Sequence, residues 1–317
     1  MAVPAMSTLY ARQVVGTLHE RVGQAEQLAG RADIDGRGTW GRVIYWNGHR
    51  DGSPVGVYAA DGPKFDYEIG ALEAGFDVYR AENEKGRRDF IGVMGAVGRV
   101  DGDVKHFNRE KAGENRIDAY SLGAYWTRFW SNDSYLDGVV MLTHNEAEAQ
   151  SMRFPKLKGH FNSLTASLEG GWPVDLGDGW KVEPEVQALY HHSFNGHGSD
   201  VGGVVTFSDV DSLLGRLSGR LAKTWSSGEG QNRRETTGWL TVGIWHEFLD
   251  RPSVAFDTED GVVVFTADTG KDWLALSGSV SAQVSRSTTL YGDVGQTWDV
   301  NGNGRAWTLR LGARFNW

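Results

Sequence analysis

Long stretches of the chain alternate between apolar and polar residues. Along residues 306–317, one parity is apolar and the other is polar or small: Trp307, Leu309, Leu311, Ala313, Phe315 and Trp317 against Ala306, Thr308, Arg310, Gly312, Arg314 and Asn316. Strict alternation places the two sets on opposite faces of a β-strand. Because this run is about twice the usual 5–6 residues of a globular strand, it predicts an unusually long strand with one apolar and one polar face.

The same alternation recurs along the chain and predicts about twelve strands. They are placed near 39–50, 66–80, 87–100, 117–130, 135–146, 159–174, 180–193, 211–226, 235–249, 272–286, 288–299 and 304–317. The predicted connections are alternately short (81–86, 131–134, 174–179, 226–234 and around 286) and long and polar (51–65, 101–116, 147–158, 194–210 and 250–271). An even number of strands joined in this way is typical of outer-membrane barrels. The segment 262–265 is either part of a hairpin above the membrane or a further strand.

Composition limits the folds and the partners that are possible for this chain. The chain has 317 residues, a formal net charge of −9 and no cysteine, with 43 glycines, 13 tryptophans and 7 prolines. This charge argues against a nucleic-acid partner, and the lack of cysteine excludes disulfides and thiolate metal sites. No run approaches the roughly 18 apolar residues of a membrane-spanning helix. A mean hydropathy of −0.41 fits a membrane barrel too, because alternation dilutes the apolar signal.

A soluble β-sandwich or lipocalin-like barrel is the alternative fold. In such a fold the apolar parity would face a packed core and the polar parity would face water. Against it, serine, threonine, glycine, arginine and glutamate recur on the polar parity. Tryptophans also gather at strand ends, as in the aromatic girdles at membrane interfaces: Trp40, Trp46, Trp126, Trp130, Trp172, Trp180, Trp225, Trp273, Trp298 and Trp317.

Residues 7–30 lack the alternation and predict one amphipathic helix. Its apolar stripe consists of Val14, Leu18, Val22, Ala25 and Leu28, and Gly30 is a natural stop. A helix of about 24 residues is roughly 36 Å long, longer than the apolar band of about 25 Å in membrane barrels. By itself the pattern also allows a helix on a surface or beneath the barrel. Since it lacks the apolar core of a signal peptide, we expect the natural chain to begin upstream of Met1.

Several stretches resemble one known family. The sequence FDYEIGALEAGFDVYR (65–80) resembles the second strand of the translocator domain of classical (type Va) autotransporters. LGAYWTRFWSNDSYLDGVV (122–140) resembles the fourth and fifth strands, and LTASLEGGWPVDLGDGWKVEPEVQALYHH (164–192) resembles the sixth and seventh. Arg310, Gly312, Phe315 and Trp317 fit the polar-x-Gly-x-x-aromatic-x-aromatic ending of outer-membrane barrels. The resemblance covers nearly the whole chain, and the order of its pieces is more specific than any one piece.

The resemblance implies an all-β fold: an antiparallel transmembrane β-barrel of about 12 strands with an N-terminal α-helix inside the lumen. Residues 1–34 would be a pore-threading linker helix and residues 35–317 the outer-membrane barrel. The implied function is that of a translocator, which exports and anchors a passenger domain that lies upstream. The implied partners are outer-membrane lipid, the barrel assembly machinery that reads the C-terminal pattern, periplasmic chaperones and the passenger itself. We expect a monomeric barrel without a nucleic-acid partner.

On this placement the inward parity carries charges of both signs, which can hold a lumen helix through charge-assisted hydrogen bonds. The expected wall charges are Arg42, Glu73, Asp77, Glu169, Glu183, Glu185, Arg216, Arg220, Glu247, Asp293, Arg310 and Arg314. The expected helix contacts are Arg12, Val14, Leu18, Arg21 and Val22. The alternative is that the wall charges pair only with one another and stiffen the barrel.

Enzymatic and metal sites have little support in the sequence. G-x-S-x-G and H-E-x-x-H motifs are absent, and no clustered Asp/His or Ser/His set can be assembled. His191, His192 and His197 are better interpreted as solvated histidines than as metal ligands. We therefore expect no catalytic, cofactor or metal site. The remaining alternative function is a porin or passive channel, which has no need for a helix before its first strand.

Overall fold

The fold is described from a computed structural model. It describes residues 3–23, 37–52, 64–105, 110–151, 156–194, 196–200, 203–207, 209–229, 233–249, 253–258, 261–266 and 270–316. Two helices, α1 (Val3–Val15) and α2 (Leu18–Val22), precede seventeen strands, numbered β1–β17 along the chain. None of the helices in these ranges is long and apolar enough to cross a membrane.

Twelve of the strands form a closed antiparallel barrel. They are β1 (Gly38–Arg50), β2 (Lys64–Glu82), β3 (Arg88–Lys105), β4 (Lys111–Phe129), β5 (Tyr135–Ser151), β6 (Leu157–Gly171), β8 (Trp180–Ser193), β11 (Val210–Ser227), β12 (Arg234–Glu247), β15 (Asp272–Gln283), β16 (Thr288–Asp299) and β17 (Gly304–Asn316). Each pairs with the next in the chain, and β1 pairs with β17 from Gly38↔Asn316 to Arg50↔Gly304. The first and last strands therefore close the barrel and leave neither with an open edge.

The two faces of the wall follow the predicted alternation. On β17, the side chain of Leu311 is 60% exposed on the outer face, whereas that of its neighbour Arg310 is only 6% exposed in the lumen. Every barrel strand exposes at least one leucine, valine or isoleucine on the outer face, and polar or small residues recur inside. The predicted transmembrane barrel is thus confirmed, and the soluble alternative is wrong.

In two of the predicted long loops, most residues continue the neighbouring barrel strands. Residues 101–105 and 111–116 extend β3 and β4, and residues 147–151 and 157–158 extend β5 and β6. On the outer face of this extension, Arg99 Nε donates to Asp118 Oδ1 (2.6 Å) and Arg116 Nε donates to Asp101 Oδ1 (2.7 Å). The prediction missed these strands because it required apolar residues outside, whereas charged cross-strand pairs occupy the outer face above the apolar band.

The remaining strands are short. β7 (Val174–Gly177) pairs with the start of β8. β9 (Gly196–Asp200) pairs with β10 (Gly203–Phe207) and with the start of β6. β13 (Ser253–Thr258) and β14 (Gly261–Thr266) form a separate two-stranded sheet. The segment 262–265 therefore belongs to a hairpin outside the barrel wall. Most of the predicted loop 51–65 lies outside the described residues.

The tryptophan girdle is only partly confirmed. Trp130, Trp172, Trp180 and Trp225 are exposed at the end of the barrel that carries the short turns. In contrast, Trp40, Trp46 and Trp273 are buried in the lumen. Trp40 and Trp46 share the parity of Arg42, so the alternation already assigned them to the inside. Position near a strand end was the weaker guide to their environment.

The predicted single helix is wrong, because the chain breaks it at Gly16 and Thr17. Gly16 adopts a left-handed conformation (φ +57°) and its N–H donates to Arg12 O (3.1 Å), which ends α1. Thr17 and Glu20 then form a capping box, in which Thr17 N donates to Glu20 Oε2 (3.0 Å) and Glu20 N donates to Thr17 Oγ1 (3.3 Å). The part of the predicted helix beyond Gly23 lies outside the described residues.

Candidate functional site: the plugged lumen

The two helices run through the barrel from one end to the other. Met6 packs against Gly102, close to the end of β3 that leads to the long connections. Gly23 lies against Tyr291, close to the short turn before β16. Short turns are periplasmic in outer-membrane barrels and long loops are extracellular. The helical segment therefore enters at the extracellular mouth and ends at the periplasmic one.

The surface of the helices is buried on all sides. Within residues 3–23, Glu20 alone among the described side chains is more than a tenth exposed. Val14, Leu18 and Val22 are buried, and so are the charged residues Arg12 and Arg21. The two faces of the amphipathic pattern therefore do not correspond to a buried face and a solvent-exposed face. Instead, one face makes the apolar contacts of the helices and the other makes their polar contacts with the wall.

Arg42 on β1 is the first wall charge that holds the helices. Its Nε donates to Glu73 Oε2 on β2 (2.6 Å), and its Nη2 donates to the carbonyl oxygen of Val14 at the end of α1. Gln187 on β8 donates in the same way to Gly16 O (2.8 Å). The wall therefore satisfies two carbonyls at the end of α1, those of Val14 and Gly16, where the helix itself offers no partner.

Arg310 on β17 joins both helices to the wall. Its Nη1 lies 2.9 Å from Glu20 Oε1 and 3.0 Å from Asp293 Oδ2, and its Nη2 donates to Gln13 Oε1 (2.6 Å). Two carboxylates from different elements thus share one guanidinium. Such charge-assisted bonds are stronger than neutral ones, and here every partner is at least mostly buried.

The start of α2 meets a cluster of glutamates. Leu18 N donates to Glu169 Oε2 (3.3 Å), and His19 Nε2 lies 2.8 Å from Glu183 Oε1. Arg220 Nη2 also donates to Glu183 (3.0 Å), while Arg216 Nη2 lies 3.1 Å from Glu185 Oε2. Here the wall charges pair with one another and also hold the helix, so both sequence-based alternatives apply to the same cluster.

The two helix arginines bind the wall in different ways. Arg21 Nη2 donates to Asp137 Oδ1 (2.5 Å) on β5, and its backbone oxygen accepts from the Tyr291 hydroxyl (2.5 Å). The Arg12 guanidinium lies 4.3 Å from the ring centroid of Trp245 and 5.9 Å from that of Trp46. Arg21 thus has a carboxylate partner on the wall, whereas Arg12 makes cation–π contacts with two wall tryptophans.

Sequence reasoning missed several of these wall residues. Asp137, Gln187, Tyr291 and Trp245 all lie on the inward parity of their strands, which is a signal that could have identified them. The predicted set contained only charged wall residues, so it left out the neutral Gln187 and the aromatic Tyr291 and Trp245, and it overlooked the charged Asp137. Nothing in the local sequence of His19 indicates glutamate partners.

Several of the expected wall charges bond to other groups of the wall, among them Arg314, Asp77 and Glu247. Arg314 on β17 pairs with Asp77 on β2, whose Oδ2 also accepts from Gly38 N (2.9 Å). Glu247 accepts from Leu213 N (2.8 Å) and from the Ser212 hydroxyl. These bonds join strands near the ends of the wall, and the Arg314–Asp77 pair reaches across β1 from β17 to β2. They correspond to the stiffening alternative.

The C-terminal pattern has two described roles in the wall. Gly312 lies beneath the ring of Tyr291, so close that a Cβ at this position would be 2.3 Å from Tyr291 Cζ. Phe315 is half exposed on the outer face, and it pairs with Thr39 on β1 and Thr288 on β16. Trp317 lies outside the described residues.

A polar cavity of about 90 Å³ remains beside the helices. Helix α1 packs chiefly against β1–β6 and β8, whereas the cavity adjoins the small inward residues of β12 and β15, among them Thr241, Gly243, Ser277 and Ser279. The space is large and polar enough for several water molecules. The helices therefore fill most of the lumen but not all of it.

The prediction of solvated histidines is wrong for His191. Its side chain is fully buried in the lumen, where its ring nitrogens lie 3.0 Å from Thr165 Oγ1 and 3.0 Å from Ser193 Oγ. His192 points to the other face and lies 2.9 Å from Asp211. The two histidines are adjacent in sequence, so alternation separates them across the wall. The side chain of His197 lies outside the described residues.

Comparison with known proteins identifies this plugged barrel. The sequence profile of the family described as "Autotransporter beta-domain" matches residues 39–295. The chain belongs to this family. Its members' barrels are found in the bacterial outer membrane, which is the location of this autotransporter beta-domain as well.

Curated autotransporters are similar to this chain in sequence. The pertactin autotransporter of Bordetella bronchiseptica is 24% identical over 292 residues, which is 90% of this chain and 30% of that protein. The autotransporter adhesin AIDA-I of Escherichia coli is 26% identical over 132 residues, which is 37% of this chain and 10% of that protein. The chain therefore spans less than a third of the length of these relatives.

Solved translocator structures have the same fold. The transport unit of AIDA-I from Escherichia coli superposes with a TM-score of 0.74 at 15% identity, covering 99% of this chain and 97% of that one. The translocator domain of NalP from Neisseria meningitidis superposes with a TM-score of 0.65 at 11% identity, covering 100% and 98%. The autotransporter beta-domain described here thus shares the fold of these barrels.

Proposed function

We propose that this barrel exports and then anchors a passenger polypeptide joined to the N-terminal side of α1. The observation that carries the proposal is the course of the helices: they enter at the extracellular mouth and pass through the lumen to the periplasmic end. A chain that continued upstream of Val3 would therefore lie outside the cell. On this proposal residues 1–34 are the linker that remains in the pore, and residues 35–317 are the translocator barrel.

The same geometry favours secretion over a porin. A porin keeps an aqueous lumen open, whereas here α1 and α2 occupy it and are held by Arg42, Arg310, Glu183 and Asp137. Hydrogen bonds from so many strands support a segment that stays in place once it has arrived. We further propose that the barrel acts in transport and anchoring and is not an enzyme.

The proposed partners follow from the two faces and the two ends of the barrel. Outer-membrane lipid covers the apolar outer face. The barrel assembly machinery would read Arg310, Gly312, Phe315 and Trp317 before insertion, after periplasmic chaperones have carried the unfolded chain. The closed wall, without an open edge strand between β1 and β17, supports a monomeric barrel.

Surface display tests this proposal. A signal peptide and an epitope-tagged reporter are joined ahead of Val3, and intact cells are treated with a protease. The reporter should be digested in intact cells, because the lumen helices carry it to the extracellular side. A reporter that resists protease until the outer membrane is permeabilised would overturn the proposal.

A matched control uses the same fusion with residues 315–317 deleted. This chain should be made but not assembled, because it loses the aromatic ending and part of the β1–β17 seam. Its reporter should stay protected in intact cells. The comparison separates export through this barrel from leakage of the reporter.

A further inference from the structure

Arg12 on α1 is a buried charge without an ion-pair partner among the residues that the structure describes. Nor does any of those residues accept a hydrogen bond from its guanidinium. The guanidinium instead lies over the rings of Trp245, at 4.3 Å, and Trp46, at 5.9 Å. These rings offer a π-face but no oxygen acceptor for its five N–H groups. A buried charge without a counter-charge is costly, so Arg12 needs a further partner.

The polar cavity of about 90 Å³ adjoins this guanidinium. Arg12 lines it together with the hydroxyl side chains of Thr241 on β12, Ser277 on β15 and Thr308 on β17. A hydroxyl group can donate a hydrogen bond, so these residues add neutral donors to the charged one. Because a single water molecule needs only about 10–15 Å³ of cavity, the space has room for a small ion together with some of its water.

The other charged groups around the cavity already have partners. Three carboxylates and three further arginines line it: Glu20, Glu185, Asp293, Arg216, Arg220 and Arg310. Each of these carboxylates lies within 3.1 Å of one of these arginines. Arg220 also pairs with Glu183 behind the lining (3.0 Å), and Glu183 in turn lies 2.8 Å from His19. Ion pairs within the wall and the helices therefore account for the other charges, but not for Arg12.

Two more hydrogen-bond donors near Arg12 lack an acceptor in the described part of the chain. They are the indole Nε1–H of Trp46 and the hydroxyl of Tyr67, whose rings lie 5.1 Å apart. Both side chains are buried, and buried donors without an acceptor are rare in proteins. A region that gathers such donors around a guanidinium suits an anion and not a metal cation.

We propose that the cavity binds one small monovalent anion, a halide or an oxyanion of similar size, beside Arg12. The guanidinium supplies the positive charge, and the hydroxyls of Thr241 and Ser277 supply neutral donors. The carboxylates of Glu20 and Asp293 in the same lining oppose a second negative charge, which favours a monovalent ion. This ligand site goes beyond the proposed function, because it requires no passenger.

The bound anion has a structural consequence for α1. This helix packs chiefly against β1–β6 and β8, whereas the hydroxyls across the cavity belong to β12 and β15. An anion between Arg12 and these hydroxyls joins α1 to the side of the wall that it otherwise hardly contacts. We therefore expect the anion to stabilise the barrel with its helices in place.

Bromide locates the site, because its anomalous X-ray scattering distinguishes it from water. Crystals of the full chain are grown with sodium bromide as the salt. An anomalous peak should lie in the cavity beside the Arg12 guanidinium, and it should be lost in Arg12→Gln. Water alone in the wild-type cavity, or a cavity peak that survives Arg12→Gln, would overturn the site. The wild-type crystal can refute the proposal by itself, even if the variant does not fold.

Thermal unfolding in detergent tests for the anion in solution. A ligand that binds only the folded state raises its stability with increasing concentration. When chloride or nitrate replaces the bulky gluconate ion at constant ionic strength, the transition temperature of the wild type should rise, and Arg12→Gln should lose this rise. A larger rise with nitrate that disappears in Arg12→Lys identifies an oxyanion held by the planar fork, whereas equal rises that survive Arg12→Lys identify a halide.

Arg99→Gln is the matched control. Its side chain is 55% exposed on the outer face, where it pairs with Asp118 (2.6 Å), so this variant removes an arginine far from the cavity lining and should keep the wild-type rise. An equal rise in Arg12→Gln would be a general salt effect and would contradict the site, as would a wild type that does not respond. Because these measurements need no passenger, their failure is distinguishable from failure of surface display.

Discussion

The absence of a side chain at Gly312 allows a wall residue to reach the helices in the lumen. The ring of Tyr291 lies across this glycine, and its hydroxyl donates to the backbone of Arg21 (2.5 Å). Gly312→Val should displace the ring and lower the stability of the barrel by about 1–3 kcal/mol, as overpacking usually does. The measurement is the temperature at which the folded band on a cold-loaded gel shifts to unfolded mobility.

Gly219→Val is the matched control at this scale, because no atom lies within 4 Å of a Cβ added there. Its transition temperature should remain close to that of the wild type. Equal shifts in the two variants would mean that the contact between Gly312 and Tyr291 contributes nothing specific.

At the scale of the strand, the two faces should differ sharply in their tolerance of charge. Leu311 faces lipid and is 60% exposed, so Leu311→Arg should cost about 2–4 kcal/mol near the midplane. Ser279 lines the internal cavity, where an arginine side chain can remain in water. The measurement is equilibrium refolding of each variant into lipid vesicles across a urea series.

Ser279→Arg should change the urea midpoint far less than Leu311→Arg. A similar loss in both would contradict the assignment of faces or the presence of lipid outside. If the barrel tolerated both substitutions, the same assignment would also be contradicted.

At the scale of the whole molecule, the helices should determine whether the barrel conducts. A 12-strand barrel has room for roughly one helix of about 10 Å diameter, and a cavity of about 90 Å³ lies beside α1 and α2. The intact chain should therefore show low, flickering conductance near neutral pH. Deleting residues 1–31 should produce a steady, larger pore, because every strand is retained and the plug is lost.

The same deletion should also lower the thermal transition temperature, since the wall loses its buried bonds to Val14, Glu20 and Arg21. Heat-modifiable mobility on a gel must be retained, which shows that the barrel still assembles. An unchanged conductance in an assembled barrel would mean that the helices do not block the lumen in the membrane.

The barrel strands, their inward and outward faces and the presence of an N-terminal helix could all be predicted from the sequence. This is because alternation is local: Leu311 and Arg310 differ in burial wherever the strand lies, provided that one face meets lipid. The break at Gly16 was also readable, since Thr17 and Glu20 have the spacing of a capping box. The strand extensions were not predicted, because outside the membrane the outer face no longer has to be apolar.

The partners of the helices were decided only by the tertiary structure. Glu20 and Arg310 are 290 residues apart, and His19 and Glu183 are 164 apart. Closure of the barrel and the depth of the helices bring them together, and neither leaves a local signal. Alternation shows that a charge points inward, but not which group it meets there. The sequence alone therefore determined the wall and its polarity, whereas the fold determined which bonds hold the helices in the lumen.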